Sequence, residues 1–357
     1  NSEQIFLSEP NLIGNELKYL KECIRSNWIS SSGKYIEEFE KQISEYTGAK
    51  YAVSCINGTS ALHLSLKILG IKSGDEVLVP ALSFVAPANA VRYCGAKPNF
   101  VDSEERTFGM DPEALRNYLQ CNTEQQSGKC INHNTGCHVR AMIPVHIFGH
   151  PCDIEGLLSV ANDYNITLIE DASESIGSTF QGKHTGTFGD VATLSFYPAH
   201  HITMGEGGCV LTKRPDLKVL VESFRDWGRD CWCEPGQDNA CGKRFQMQLG
   251  QLPYGYDHKY IFSHVGYNMK TTDMQAAIGV AQLKKLPMFA KARRRNFQTL
   301  HTEMLPFEEF FILPRATSGS DPCWFGFPIT VRENAPFTRK QLIDYLDERK
   351  IATRLLF

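Results

Sequence analysis

Ser195-Phe196-Tyr197-Pro198-Ala199-His200-His201-Ile202-Thr203-Met204-Gly205-Glu206-Gly207-Gly208 is the most informative stretch of this 357-residue chain. The apolar run Ala192–Phe196 leads into it and reads as a buried strand that delivers Ser195. A turn then presents two adjacent histidines, and a glycine cluster follows. Gly208–Thr212 reads as the next strand.

Outward from this stretch the same alternation repeats. Tyr51–Cys55, Glu76–Pro80, Lys97–Val101, Ala141–Val145 and Ile166–Glu170 are strand candidates, and Thr59–Leu69 and Asp153–Tyr164 are helices between them. Short apolar strands alternating with amphipathic helices predict an α/β fold with a mainly parallel sheet covered on both faces. The polar segment from Cys121 to His138 reads as an excursion between helix and strand. From about Asp273 a single long helix, Met274–Arg295, leads into a last α/β portion that stops at Phe357. The expected organisation is a large cofactor-binding domain over residues 1–265 and a smaller, incomplete one over 266–357. No internal repeat or low-complexity segment interrupts it.

Composition narrows the classes. The chain is 42% hydrophobic with a formal charge of -3, enough for a sizeable core and without the basic stripe of a nucleic-acid binder. No apolar run is long enough for a bilayer. Asn1-Ser2-Glu3-Gln4 has no signal-peptide character, and no initiator methionine precedes it, so the chain reads as processed or partial. Twelve scattered cysteines do not form a secreted disulfide framework, which favours a reducing cytoplasm.

Two further motifs suggest a ligand. Asn57-Gly58-Thr59-Ser60-Ala61 joins a strand to a helix, where Gly lets the backbone approach and free N–H groups favour a phosphate. An ordinary helix N-cap is the alternative. Asp171 ends a buried strand, where a carboxylate is costly without a cationic partner. A pyridinium nitrogen would be such a partner, and capping of the next helix is the alternative.

Taken together, Trp28-Ile29-Ser30-Ser31, Gly58-Thr59-Ser60-Ala61-Leu62-His63, Glu170-Asp171-Ala172, Gly186-Thr187-Phe188-Gly189-Asp190, Ser195-Phe196, Gly205-Glu206-Gly207-Gly208, Gly266-Tyr267-Asn268 and Asp273-Met274-Gln275-Ala276-Ala277 resemble the DegT–DnrJ family of sugar-nucleotide aminotransferases and dehydratases. The resemblance covers nearly the whole chain. It implies a fold type I pyridoxal-phosphate-dependent transferase. It places Gly58, Thr59, Ser60 and Ser195 on the cofactor phosphate, Asp171 at the pyridine nitrogen and Phe84 on the ring face. Glu174 stands where the family often has Gln or His beside the ring. Asn268 would reach the phosphate of a second subunit, which implies a homodimer.

His200 occupies the position of the lysine that ordinarily bonds covalently to the cofactor. Imidazole cannot keep that bond, but with an ordinary pKa near 6.5 it can act as a base. The resemblance therefore implies pyridoxamine phosphate as the working cofactor. His200 would take a proton from the cofactor's C4′ carbon while the C-3 hydroxyl of an NDP-4-keto-6-deoxyhexose leaves. An aminotransferase lineage that has lost its lysine, an inactive homologue and a sugar-nucleotide binder are the alternatives. Residues from Ser195 through Arg354-Leu355-Leu356-Phe357 resemble the 3-dehydratases, best the CDP-4-keto-6-deoxyglucose branch. Val79–Asn89 and Ile143–Gly149 look more like 4-amino-sugar aminotransferases.

One dehydratase branch carries a [2Fe–2S] cluster. Here Asp226-Trp227-Gly228-Arg229-Asp230-Cys231-Trp232-Cys233 is followed by Asp238-Asn239-Ala240-Cys241. By that pattern Cys231, Cys233 and Cys241 are three ligands, and the fourth position reads Ser173. Oxygen ligation by Ser173, substitution by Cys209, no cluster, and zinc at the three cysteines are the readings left open. With a cluster, an NAD(P)H-dependent reductase would supply electrons for 3-deoxygenation. Without one, glutamate could recharge the cofactor. Arg293-Arg294-Arg295 reads as a solvated helix face and His146 as a satisfied core histidine. Trp28–Ser32 reads either as a packed turn or as part of the substrate mouth.

Overall fold

The computed structural model describes residues 4–231, 233 and 239–356. A nine-stranded sheet forms its centre. In chain order the strands are β1 (Tyr51–Cys55), β2 (Asp75–Pro80), β3 (Lys97–Val101), β4 (Thr123–Gln126), β5 (Lys129–Asn132), β6 (His138–Met142), β7 (Thr167–Asp171), β8 (Val191–Ser195) and β9 (Gly208–Thr212). They lie in the order β1-β9-β8-β7-β6-β2-β3, with the β4–β5 hairpin attached to β6. Neighbours from β8 to β3 run parallel, and β9 runs antiparallel to both β1 and β8. Every residue of β2, β8 and β9 is buried, as in a sheet covered by helices on both faces.

The reversed β9 fixes the site. Because it returns beside β8, Ser195 pairs with Gly208, and Gly208 pairs in turn with Cys55 of β1. The intervening loop is thereby confined to the C-terminal end of β8. Asp171 of β7 pairs with Thr193 one strand further along. The ends of β1, β7 and β8 therefore converge on one rim, the side of an open α/β sheet where ligands bind.

Helices α1 (Lys34–Thr47), α2 (Gly58–Ile68), α3 (Pro215–Arg225), α4 (Asp273–Leu283) and α5 (Leu286–Met304) matter most here. Phe39 and Ile43 of α1 share one core with Phe196, Met204, Ala276, Ala277 and Val280. The loop carrying the histidines is thus anchored on both sides by apolar packing.

Three expectations shift. The long helix over Met274–Arg295 is two helices, α4 and α5, because Pro287 has no N–H and its ring would clash with the carbonyl of Leu283. The strand expected at Ala141–Val145 is His138–Met142, since Pro144 cannot donate to a ladder. Ile143 N–H still bonds Leu78 O, and Val145 bridges Asp171. The polar excursion after Cys121 contains the β4–β5 hairpin.

Candidate active site

The phosphate-type cradle is built at the start of α2. Asn57 is extended, and its Oδ1 accepts the N–H of Ser60 at 2.8 Å, so it caps the helix. This leaves the N–H groups of Gly58 and Thr59, at the positive end of the helix, for another acceptor. Gly58 is buried against Ser195, while the Thr59 and Ser60 side chains are half-buried. The capping reading therefore holds at Ser60 N–H, and the Gly58 and Thr59 N–H groups stay available for the anion that the other reading expects.

Asp171 ends β7 with 5% exposure. Its Oδ1 accepts the N–H and the hydroxyl of Ser173, at 3.1 and 2.6 Å, and the hydroxyl of Thr193 at 3.3 Å. All described bonds fall on Oδ1, leaving Oδ2 for another partner. Burial pushes this carboxyl above its ordinary pKa despite those bonds, so a cation at Oδ2 would be strongly favoured. Glu174 is buried too, and its Oε2 accepts the N–H of Phe148 at 2.8 Å. Burial first, then the neighbouring Asp171 charge, push it up to about 7.

Glu170 points the other way and is structural. Its oxygens accept the N–H groups of Gly186, Phe188 and Gly189, each at 2.7 Å, and face His146 Nε2 at 3.2 Å. His146 Nδ1 accepts the N–H of Cys152. His146 is thus the satisfied core histidine its sequence context suggests.

His200 follows the turn closed by its own N–H on Tyr197 O. Its ring lies 5.6 Å from that of Phe325, and its Nδ1 is buried with no hydrogen-bond partner. Burial first, and the charge of Arg293 second, lower its pKa to about 4. The imidazole is therefore neutral near pH 7 and able to accept a proton. His201 instead turns inward, with Nε2 on Cys323 O.

Arg293 is turned inward rather than solvated, and Arg294 is only partly exposed. Arg293 Nη1 donates to the carbonyls of Trp324 and Phe325, at 3.1 and 3.0 Å. Arg294 bonds Asp321 and Gly177 O, and Arg295 alone of the three is exposed. Sequence spacing could not reveal this, because the segment that covers the histidines arrives from more than a hundred residues downstream. Trp28 and Ile29 are exposed rather than packed, as are Phe84 and Asn268. Asn268 bridges Asp226, and its Oδ1 accepts from Lys270 Nζ at 2.7 Å.

The cysteines depart from the four-thiolate pattern. Ser173 is engaged by Asp171, and Cys209 is wholly buried inside β9 among core residues, so Cys209 is no substitute ligand. Cys231 and Cys233 instead gather about buried His258, a residue that the cysteine pattern gave no reason to single out. Trp232 and Asp238 of that motif lie outside the described residues. The side chains present therefore do not fit a [2Fe–2S] cluster held by four thiolates. They do fit a pyridoxal-type cofactor: a helix N-terminus with close-packed Gly58 and Ser195, a buried acid with one open oxygen, and an orphaned imidazole nitrogen.

Known proteins resemble this chain over most of its length. The chain is 43% identical over 350 residues to the lipopolysaccharide biosynthesis protein RfbH of Salmonella typhimurium, covering 96% of this chain and 76% of that one. It is 44% identical over 335 residues to the dTDP-4-dehydro-2,6-dideoxy-D-glucose 3-dehydratase of Saccharopolyspora spinosa, covering 92% and 69%. The solved E. coli GDP-4-keto-6-deoxy-D-mannose-3-dehydratase with bound hydrated PLP superposes with a TM-score of 0.81 at 26% identity, covering 99% and 86%. With its profile matched over residues 10–357, the chain belongs to the DegT/DnrJ/EryC1/StrS aminotransferase family, whose members include dehydratases as well as aminotransferases of nucleotide sugars.

Proposed function

We propose that this chain is a pyridoxamine-phosphate-dependent C-3 dehydratase of an NDP-4-keto-6-deoxyhexose. The observation that carries the reading is His200, a neutral imidazole with an orphaned Nδ1 at the position where the family resemblance expects the aminotransferase lysine. Bound pyridoxamine phosphate would supply the amine that condenses with the 4-keto group and a ring able to take up an electron pair.

The chain's own groups do the rest. Gly58, Thr59, Ser60 and Ser195 would hold the phosphate, and Asp171 Oδ2 would keep the pyridine nitrogen protonated. Phe84 would cover one ring face, with Glu174 beside the ring. His200 accepts a proton on its ring nitrogen and hands it toward the departing C-3 hydroxyl. Histidine and lysine part company here, because lysine would capture the cofactor covalently and open the transamination route. Asn268 is exposed, in keeping with a homodimer in which it reaches the partner subunit's phosphate. With the four-thiolate set incomplete, glutamate rather than a reductase recharges the cofactor in this reading.

Oxygen exchange in labelled water tests it, with the protein, pyridoxamine phosphate and a 4-keto-6-deoxyhexose carried on CDP, GDP or dTDP. Label entering C-3, and absent with His200→Asn, supports dehydration with His200 as base. A 4-amino sugar formed from glutamate without exchange assigns the chain to transamination instead. Tight cofactor binding with neither product refutes both and leaves a binding protein.

A further inference from the structure

We propose that Cys231, Cys233, Cys241 and His258 bind one tetrahedral, soft divalent metal ion of the zinc class, which staples the segment leading to Asn268. The ligand atoms of Cys231, Cys233 and His258 all lie within 4.8 Å of one another. Cys241 stands just outside that trio with its Sγ 3.9 Å from His258 Nε2, and it would swing in as the fourth ligand. Around zinc, with bonds of ~2.3 Å to sulfur and ~2.0 Å to nitrogen, ligand atoms end ~3.5–3.8 Å apart. The trio needs to contract by only about an ångström to reach that spacing. Three thiolates and one imidazole are also a full ligand set for a closed structural site.

The scaffold around these atoms is already assembled. Two arms meet at the turn His258–Tyr260, and His258 itself is 1% exposed. Asp230 N–H bonds Ile261 O at 3.0 Å, and Arg229 bonds Lys259 O at 2.8 Å, which ties in the Cys231 arm. Arg244 pairs with Asp257 at 2.8 Å, and His258 N–H reaches Arg244 O, which ties in the Cys241 arm. Lys243 N–H points at Cys241 Sγ from 3.4 Å, the outer-shell donation that a bound thiolate needs. Apolar side chains do little of this holding, because Phe245, Leu252, Tyr254, Tyr256 and Tyr260 are all exposed. A segment with so little core is where a metal contributes folding energy.

A two-iron cluster divides four ligands between two metals. Here three ligand atoms lie close enough together to share one metal, and the residue at the fourth thiolate position, Ser173, donates to Asp171. The same segment carries the Asp226–Asn268 bridge. Loss of the metal would therefore loosen the residue proposed to cross to the partner subunit. The metal site does not depend on whether the reaction is dehydration or transamination.

The test is elemental analysis with acid-labile sulfide on the untagged full-length chain, purified under reducing conditions with zinc present, followed by cobalt exchange. The expected result is about one zinc per chain, no sulfide, and the intense visible bands of tetrahedral thiolate-bound cobalt. His258→Ala and Cys241→Ser should each lower zinc content at least about tenfold. His258→Cys should keep it, which separates a ligand role from misfolding, and Ser173→Ala should leave it unchanged. Iron with equimolar sulfide, zinc content indifferent to His258→Ala, or a chain that retains no metal would each overturn the proposal.

Discussion

A β-carbon at position 58 would stand 2.7 Å from Cβ and 2.9 Å from Oγ of Ser195. That proximity packs the end of β8 directly against the start of α2, as the proposed phosphate cradle requires. Neither partner can move away, since Ser195 is locked to Gly208 by the sheet and Gly58 begins a helix buried along most of its length. Gly58→Ala should therefore cost about 1–3 kcal/mol of stability through overpacking. It should also displace the Ser195 hydroxyl. Urea unfolding reads the first effect, and cofactor retained after dialysis reads the second. Loss of stability with full cofactor retention would remove Ser195 from the cradle.

Glu174 gives the cofactor-free protein a pH signature. Its ordinary value of 4.5 is raised to about 7 in the folded state, so the native protein holds a proton that the unfolded chain has released. The sign follows: this carboxyl favours folding fully below about 4.5, and that support is lost as pH rises through about 7. His200, lowered to about 4, acts in the opposite sense as pH falls. Comparing the wild type with Glu174→Gln isolates the carboxyl. The difference in unfolding free energy should change by up to ~3 kcal/mol between pH 4.5 and 7. A pH-independent difference would refute the buried-acid assignment.

Arg293 should act on catalysis without touching substrate. It holds the carbonyls of Trp324 and Phe325, beside the two histidines, and its charge helps keep His200 neutral. Arg293→Met should move the acid limb of the kcat–pH profile upward, because His200 then protonates more easily. Cofactor affinity should change little. An unshifted limb would show that burial alone sets the imidazole.

Glu170 should prove more important to folding than to chemistry. It is a fully buried carboxylate held by three N–H groups and His146. Glu170→Ala leaves those donors unpaired, and a loss of about 3–5 kcal/mol is expected. Chemical denaturation measures it, and a loss below about 1 kcal/mol would mean that the Gly186–Gly189 loop holds itself in place.

Much of this was legible in the residues. Apolar runs such as Val77–Pro80 and Gly208–Leu211 are strands because a sheet covered on both faces buries every position of such a run. Local chemistry was equally readable at Asn57-Gly58, where cap and cradle depend on neighbours within three residues. Pro287 was present in the sequence too, and its break of the predicted long helix follows from the missing N–H.

What the sequence by itself determined, then, is the set of groups: the family's ordered motifs, with His200 where their pattern expects a lysine and Ser173 where it expects a fourth thiolate. Tertiary structure alone decided which of them act together. Arg293 bonds carbonyls some thirty residues further on, and His258 meets Cys231 and Cys233 across a loop, so neither partnership has a spacing to read. Periodicity reports only which face of an element is apolar. Which distant segment covers that face, and which buried nitrogen is left without a partner, depends on how the whole chain closes around the sheet.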